Sequence, residues 1–398
     1  MKALVIGVGA AGNKCAIDLL EHNTIGKDDI VLINSTLKDV PESYREKAIE
    51  IEGPDGCGQE RSLAKDIVLQ AMQKGKLVLD NMMNPDHDKV IIIASLCGAT
   101  GSGMAPVIGA YFSKVLSVPV EIIGLVGFED ESARAMRNIL EFCQDMDEKF
   151  TIQLVKNSAF LKAANNNRSK AEKLANLEVV KRVNTMLGNY MIDSEQNIDD
   201  TDIKKLNNIS GYKTVEFYKL EDKIKSMDQF NSILKEMLDD SKSIESDGST
   251  LGRLGVIINA QSSSQEFIDR SYSVLKERLG NPYEIYTHIQ YSKNAPEFIA
   301  VIASGMKMPD EEIKEYYEKY KEMTEAVNKK KDSFFAEIQD LKGNSEDSKF
   351  DSFSSGRGYN TEIEASAAEK NKFFASFLKD TEPVTSKKGD NSSNNKGF

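Results

Sequence analysis

What this chain has little of narrows its chemistry first. Only four cysteines, Cys15, Cys57, Cys97 and Cys143, occur in 398 residues. They are scattered without CxxC spacing in apolar or glycine-rich settings, and so read as free thiols of a reducing compartment. Three histidines, His22, His87 and His288, show no ligand spacing, which argues against a zinc site. Positive charge is short as well: 51 Lys and Arg against 63 Asp and Glu leave a net charge of -12. Direct nucleic-acid binding needs a basic face, so DNA or RNA is expected only indirectly, through a partner. No apolar run approaches a membrane span, and the glycine-broken opening MKALVIGVGAAG does not read as a signal peptide. A cytoplasmic protein without direct membrane contact is expected. The Walker loop GxxxxGK[ST] is missing too, which removes the ordinary P-loop NTPase.

What is present is a repeated strand, glycine loop and helix. Residues 3–6, 29–33, Lys89–Ser95 and Val120–Val126 are continuous apolar runs, the pattern of strands buried on both faces. Helical patterns between them predict an α/β fold with a parallel, doubly wound sheet. Residues 174–191 carry apolar side chains at helical spacing. Beyond them, strands at 213–218, 253–260, 284–291 and 297–303, with helices near 226–239 and 263–279, predict a smaller α/β unit. From Pro309 one long charged helix follows, with a single apolar stripe through Ile313, Tyr316, Tyr320, Met323 and Val327. Gly343 and Asn344 end it, and the Ser-, Asn-, Gly- and Lys-rich remainder reads as a mostly disordered tail. The expected division is 1–173 nucleotide-binding, 174–192 central helix, 193–308 smaller α/β domain, 309–343 long helix and 344–398 tail.

Two loops carry the chemistry. Gly7-Val8-Gly9-Ala10-Ala11-Gly12 follows a strand and opens a helix, where glycine lets backbone approach a phosphate and the helix N-terminus offers unpaired N–H groups. Alone it fits an NAD(P)-dependent oxidoreductase as well, although that reading wants an acid at the end of the second strand for the ribose, where this chain has Asn34. Cys97-Gly98-Ala99-Thr100-Gly101-Ser102-Gly103 repeats the arrangement after Lys89–Ser95. Two such loops suit a polyphosphate gripped from two sides.

CGATGSG resembles the GGGTG[ST]G signature of the tubulin/FtsZ superfamily, with Cys97 and Ala99 replacing glycines. The resemblance covers roughly residues 1–305. It implies a filament-forming GTPase using GTP/GDP, with Mg2+ held mainly by phosphates and water and not by protein ligands. By the same resemblance Gly9, Ala10, Ala11, Gly12, Asn13 and Lys14 form the first nucleotide loop, with Lys14 where an amide is usual. Asn34 belongs to the second loop, Gly56, Cys57 and Gly58 to the third, and Gly98, Ala99, Thr100, Gly101, Ser102 and Gly103 to the fourth. Glu131, with Glu129 as rival, is expected at the ribose, and Asn157 and Asn176 at the base, since an amide both donates and accepts.

The segment Gln196-Asn197-Ile198-Asp199-Asp200-Thr201-Asp202 is similar to the superfamily's N-x-D-x-x-D loop. The resemblance implies that Asn197, Asp199 and Asp202 act on the nucleotide of the next copy in a head-to-tail filament. The plainer reading, an acidic helix cap, stays open. Within the superfamily the long terminal helix, the degenerate CGATGSG loop and the basic-ended tail are most like the TubZ plasmid and phage partition tubulins. These imply a DNA-binding adaptor contacting the tail. A divergent FtsZ-like cell-division GTPase is the alternative.

Overall fold

The computed structural model describes residues 1–53, 55–192, 198–220, 226–246, 248–261, 265–292 and 297–342. The first apolar run forms β1 (Ala3–Val8), and the glycine loop opens α1 (Gly9–Glu21). Then come β2 (Ile30–Asn34), β3 (Ala48–Glu50), α2 (Arg61–Gln73), β4 (Lys89–Ser95) and α3 (Ala99–Lys114). β5 (Val120–Val126), α4 (Ala133–Gln144), β6 (Thr151–Lys156) and α5 (Arg168–Leu187) complete the first half. The second holds α6 (Asp200–Asn207), β7 (Gly211–Lys219), α7 (Met227–Asp239), β8 (Arg253–Asn259), α8 (Gln265–Leu279), β9 (Glu284–Gln290), β10 (Phe298–Met306) and α9 (Asp310–Lys342).

The sheet order is β3-β2-β1-β4-β5-β6-β7-β10-β8-β9. From β3 to β6 every pairing is parallel, and β10 runs antiparallel between β7 and β8. The strand order reverses between β1 and β4, and the crevice at such a switch point is where α/β sheets bind ligands. Leu4, Val5, Ile6, Ile91, Ile92, Ile93, Ile122 and Ile123 are fully buried between helices on both faces. Each such side chain stabilises the fold by about 1.5–3 kcal/mol.

Three boundaries differ from the sequence reading. The central helix α5 begins at Arg168, earlier than 174, because the Asn167 side chain accepts the Lys170 N–H at 3.0 Å and caps it. It ends before 192, at Gly188, whose φ of 78° is left-handed and terminates the helix. The expected break at 193 is bridged: β6 and β7 pair through Thr151–Gly211 and Ile152–Tyr212, so both halves share one sheet. Residues Met1–Lys331 form one unit and Asp332–Phe398 a second. Of the second only 332–342 are described, as helix, and the expected tail 344–398 lies outside the described residues. In α9, Tyr316 is half-buried, whereas Met323 and Val327 are exposed.

Candidate functional site

The site is built at the C-terminal ends of β1, β2 and β4. Gly9 turns the chain into α1 with φ 75°, and Gly12 packs so closely on β4 that a Cβ there would lie 2.2 Å from the Ile93 carbonyl oxygen. In the second loop a Cβ on Gly101 would lie 2.6 Å from the Ser95 carbonyl oxygen. The two loops abut, since a Cβ on Gly9 would stand 3.2 Å from the Gly101 nitrogen. Glycine is therefore required by backbone packing at both loops. Gly12→Ala should push α1 off β4, cost about 1–3 kcal/mol of stability and weaken nucleotide affinity; urea unfolding and a nucleotide titration on one preparation check both.

Helix capping divides the helices: α1, α2 and α3 lack a side-chain cap, and of these α1 and α3 follow β1 and β4 at one crevice. α4, α5, α6 and α7 each have a side-chain cap, from Ser132, Asn167, Asp199 and Ser226. The residues at the N-cap of α1 and α3, Val8 and Gly98, supply no side-chain cap. Their first-turn N–H groups are left without a capping side chain at one crevice, the arrangement an anionic ligand completes.

Three loops meet at Thr100. Its hydroxyl lies 3.5 Å from Ser35 Oγ and donates toward Cys57 Sγ at 3.6 Å. Cys57, Gly58 and Gln59 take φ of 52°, 56° and 60°, a left-handed run that two non-glycine residues adopt only under constraint. Arg134 supplies part of it, donating to the Gly58 carbonyl at 3.4 Å and pairing with Glu60 at 3.2 Å. Gly56 lies in the same 3₁₀ turn. Asn138 donates to the Cys97 carbonyl at 2.9 Å and fixes the start of the second loop.

Other expected site residues divide. Ala10 and Ala11 are half-buried on the first turn of α1, and Lys14 is exposed one turn on. Asn13, Asn34 and Asn157 each carry a buried amide atom without a protein partner: both atoms of Asn13, Nδ2 of Asn34 and Oδ1 of Asn157. Such orphaned polar groups cost stability unless something satisfies them, and they fit a polar base and sugar. Ser102 and Gly103 turn inward. The Ser102 hydroxyl donates to the Gly98 carbonyl at 2.6 Å, and a Cβ on Gly103 would sit 2.7 Å from the Arg61 carbonyl oxygen, so their roles here are to close the turn and pack α2.

Glu131 folds back to accept the Phe128 N–H at 3.3 Å beside Cys97. Burial, reinforced by that carboxylate, pushes the Cys97 thiol up to about 12. Glu129 is exposed. Asn176 donates to Asp18 Oδ2 at 2.8 Å. Asp18 is a candidate the sequence reading missed; burial raises its carboxyl, and it lies four residues after Lys14 on the same face of α1. Its signal was an acid on the helix that follows the first glycine loop.

The acids lie elsewhere. Asp199 caps α6, its Oδ1 accepting the Asp202 N–H at 2.8 Å. Asp202 is two-thirds buried and pairs with Lys205 at 3.4 Å. Asn197 lies outside the described residues. α6 is tied to the N-terminal ends of the strands: Asp200 pairs with the Met1 amino group at 3.8 Å, and Lys204 with Asp88, just before β4, at 2.7 Å. The glycine loops follow the other ends of β1 and β4. A strand of β4's length spans roughly 20 Å, so within one chain these carboxylates and those loops do not meet.

A buried ionic cluster lies beneath α6. Glu121 on β5 accepts from Lys89 Nζ at 2.5 Å and Lys213 Nζ at 2.9 Å, and all three side chains are no more than 1% exposed. Both lysines also donate to the Asn207 carbonyl at the end of α6, at 2.9 and 3.2 Å. Burial alone would raise Glu121, but the Lys213 and Lys89 charges prevail and hold it at about 2. Burial draws Lys213 down to about 7.

No protein-family model matches the chain. Tubulin-like protein CetZ2 of Haloferax volcanii is 27% identical over 199 residues, 47% of this chain and 54% of that protein. The chain thus spans about half the length of the curated relatives it matches. A solved structure of CetZ2 from Haloferax volcanii, a GTPγS-bound protofilament, superposes with a TM-score of 0.69 at 19% identity, covering 82% of this chain and 100% of that one. The TubZ of Clostridium botulinum phage c-st superposes with a TM-score of 0.63 at 18% identity, covering 82% and 99%.

Proposed function

We propose that this chain, a member of the tubulin/FtsZ superfamily, binds GTP at the C-terminal edge of its parallel sheet and polymerises head to tail. The carboxylates of one copy then complete the hydrolytic site of the next. The observation that carries this is the placement of Asp199 and Asp202 at the opposite end of β1 and β4 from the uncapped helices. A contact that joins unlike ends and does not close generates a filament.

In this reading the N–H groups of α1 and α3 and the Thr100 hydroxyl hold the phosphates, and Glu131 lies at the ribose. Asn13, Asn34, Asn157 and the Asp18–Asn176 pair supply donors and acceptors for guanine and its sugar. Mg2+, held through phosphate oxygens and water, neutralises phosphate charge when bound. Asp202 of the adjoining copy orients water for in-line attack, with Asp199 and Asn197 beside it. The strand order also fits a dinucleotide crevice, but Asn34 in place of a ribose-binding acid and the second uncapped helix favour a nucleoside triphosphate.

Likeness to the phage TubZ and the long α9 favour a DNA-partition filament over a cell-division one. A DNA-binding adaptor engaging residues 344–398 would then connect filament growth to DNA movement. Because acids and phosphates belong to different chains, turnover per subunit should be near zero in dilute solution and climb steeply with protein concentration. Phosphate release measured across the light-scattering threshold tests this, and a constant specific activity would overturn the shared site.

A further inference from the structure

Two buried polar residues on β9 serve the segment that carries the acids. His288 and Gln290 are 1% and 3% exposed and point from the same face of the strand. Polar side chains at such positions are costly unless their groups are matched. Here the matching partners are backbone groups on either side of residues 193–197. The Ile192 N–H donates to Gln290 Oε1 at 2.7 Å, and Gln290 Nε2 donates to the Tyr190 carbonyl at 2.7 Å. On the other side the Ile198 N–H donates to His288 Nδ1 at 3.3 Å. That bond assigns the proton to Nε2, which donates to Gln290 Oε1 at 2.8 Å. One relay therefore grips both Ile192 and Ile198, and Asp199 follows Ile198 directly.

We propose that His288 and Gln290 are positioning residues for hydrolysis: through Ile192 and Ile198 they set where one copy presents Asp199 and Asp202 to the nucleotide of the next. This rests on the shared-site reading above. The ion pairs of α6 with Met1 and Asp88 hold the helix to the sheet, and the β9 relay fixes the chain that leads into it. A displacement of about 1 Å at reacting groups costs up to a hundredfold in rate, so a relay remote from the phosphates is felt in kcat and not in nucleotide affinity.

The test uses the full chain. His288→Leu removes the ring's bonds to Ile198 and Gln290 and should lower turnover of assembled protein roughly tenfold to a hundredfold, with GTP affinity unchanged. His288→Asn, whose Oδ1 replaces the Nδ1 acceptor, should recover much of it. Gln290→Met removes the other half of the relay and carries the same test should the leucine variant not fold. Each is then copolymerised with Thr100→Ala, which is impaired in its own phosphate loop but presents intact acids. Turnover should exceed that of either variant alone, because junctions form that pair a sound nucleotide site with sound acids. Wild-type turnover in both β9 variants overturns the proposal, as does a loss that neither asparagine nor mixing relieves. If Asp202→Asn in parallel keeps full turnover, the shared-site reading itself has failed.

Discussion

Asp202→Asn should bind GTP and assemble, yet hydrolyse it about a hundredfold or more slowly, the scale on which a positioned acid–base group acts. Asparagine keeps the shape and removes the charge. The side chain is two-thirds buried and its ion-pair partner is Lys205 at 3.4 Å, an i,i+3 contact of small energetic weight. The cap of α6 is supplied by Asp199, whose carboxylate accepts the Asp202 backbone N–H, so that bond survives the substitution. Asp199→Ala, in contrast, removes a cap worth about 1 kcal/mol together with any chemical role. Asp202 is thus the cleaner probe of the two. Filaments of Asp202→Asn should persist where wild-type ones disassemble, and a small admixture should slow wild-type disassembly, since each variant copy disables one junction. Turnover and filament lifetime on the same preparation decide the matter. Normal turnover with a lowered melting temperature would reduce this acid to a structural role.

Glu121→Gln should destabilise the fold by about 3–5 kcal/mol, the cost of breaking a buried ion pair and leaving charge behind. Here the residue removed is the carboxylate that pairs with two ammonium groups, Lys89 and Lys213, with Gln153 Nε2 donating to it at 2.6 Å. The cluster also makes stability depend on pH, with a definite sign. Burial lowers Lys213 from 10.5 to about 7 in the folded chain. Between these values the unfolded state binds more protons, so the Lys213 contribution to stability rises with pH from about 7 upward and is flat below. Glu121, lowered from 4.5 to about 2, adds stability that is lost as pH falls between those values. Lys213→Met should remove the rise and cost far less than Glu121→Gln, because it leaves one lysine with one carboxylate. Denaturant midpoints at pH 6.5 and 9 for the three proteins test this; equal midpoints for wild type and Glu121→Gln would overturn it.

These residues also mark where sequence reading stops. Strands β1, β4 and β5 announce themselves as apolar runs, and the glycine loops after β1 and β4 are legible because backbone crowding admits no other residue. β6, TIQLVK, gives no such signal: its fully buried Gln153 serves the ionic cluster, a partnership set by the neighbouring strand. Apolar spacing in α5 puts Leu177 in the stripe, yet it is 37% exposed, while Arg182 on the same helix is fully buried against Glu178 and Ser243. Periodicity counts apolar residues and is blind to charges that are buried because they are paired. The roles of His288 and Gln290 went unread because their partners are backbone groups of another segment. Asp199 and Asp202 stood out by resemblance to the N-x-D-x-x-D loop, but their separation from the glycine loops is a property of the sheet, visible only once α6 is tied to Met1 and Asp88.

The antipodal arrangement of carboxylates and uncapped helices has an arithmetic consequence. In the proposed head-to-tail row, n copies would contain n − 1 junctions, so one terminal copy would hold a nucleotide that no neighbour can cleave. The copy at the other end presents acids to open solvent. The two tips of such a row are chemically unlike however long it grows: one carries unspent triphosphate, and the other none beyond its own completed junction. On that proposal, direction would be written into each molecule by the two ends of a single strand, before any partner or cargo is attached.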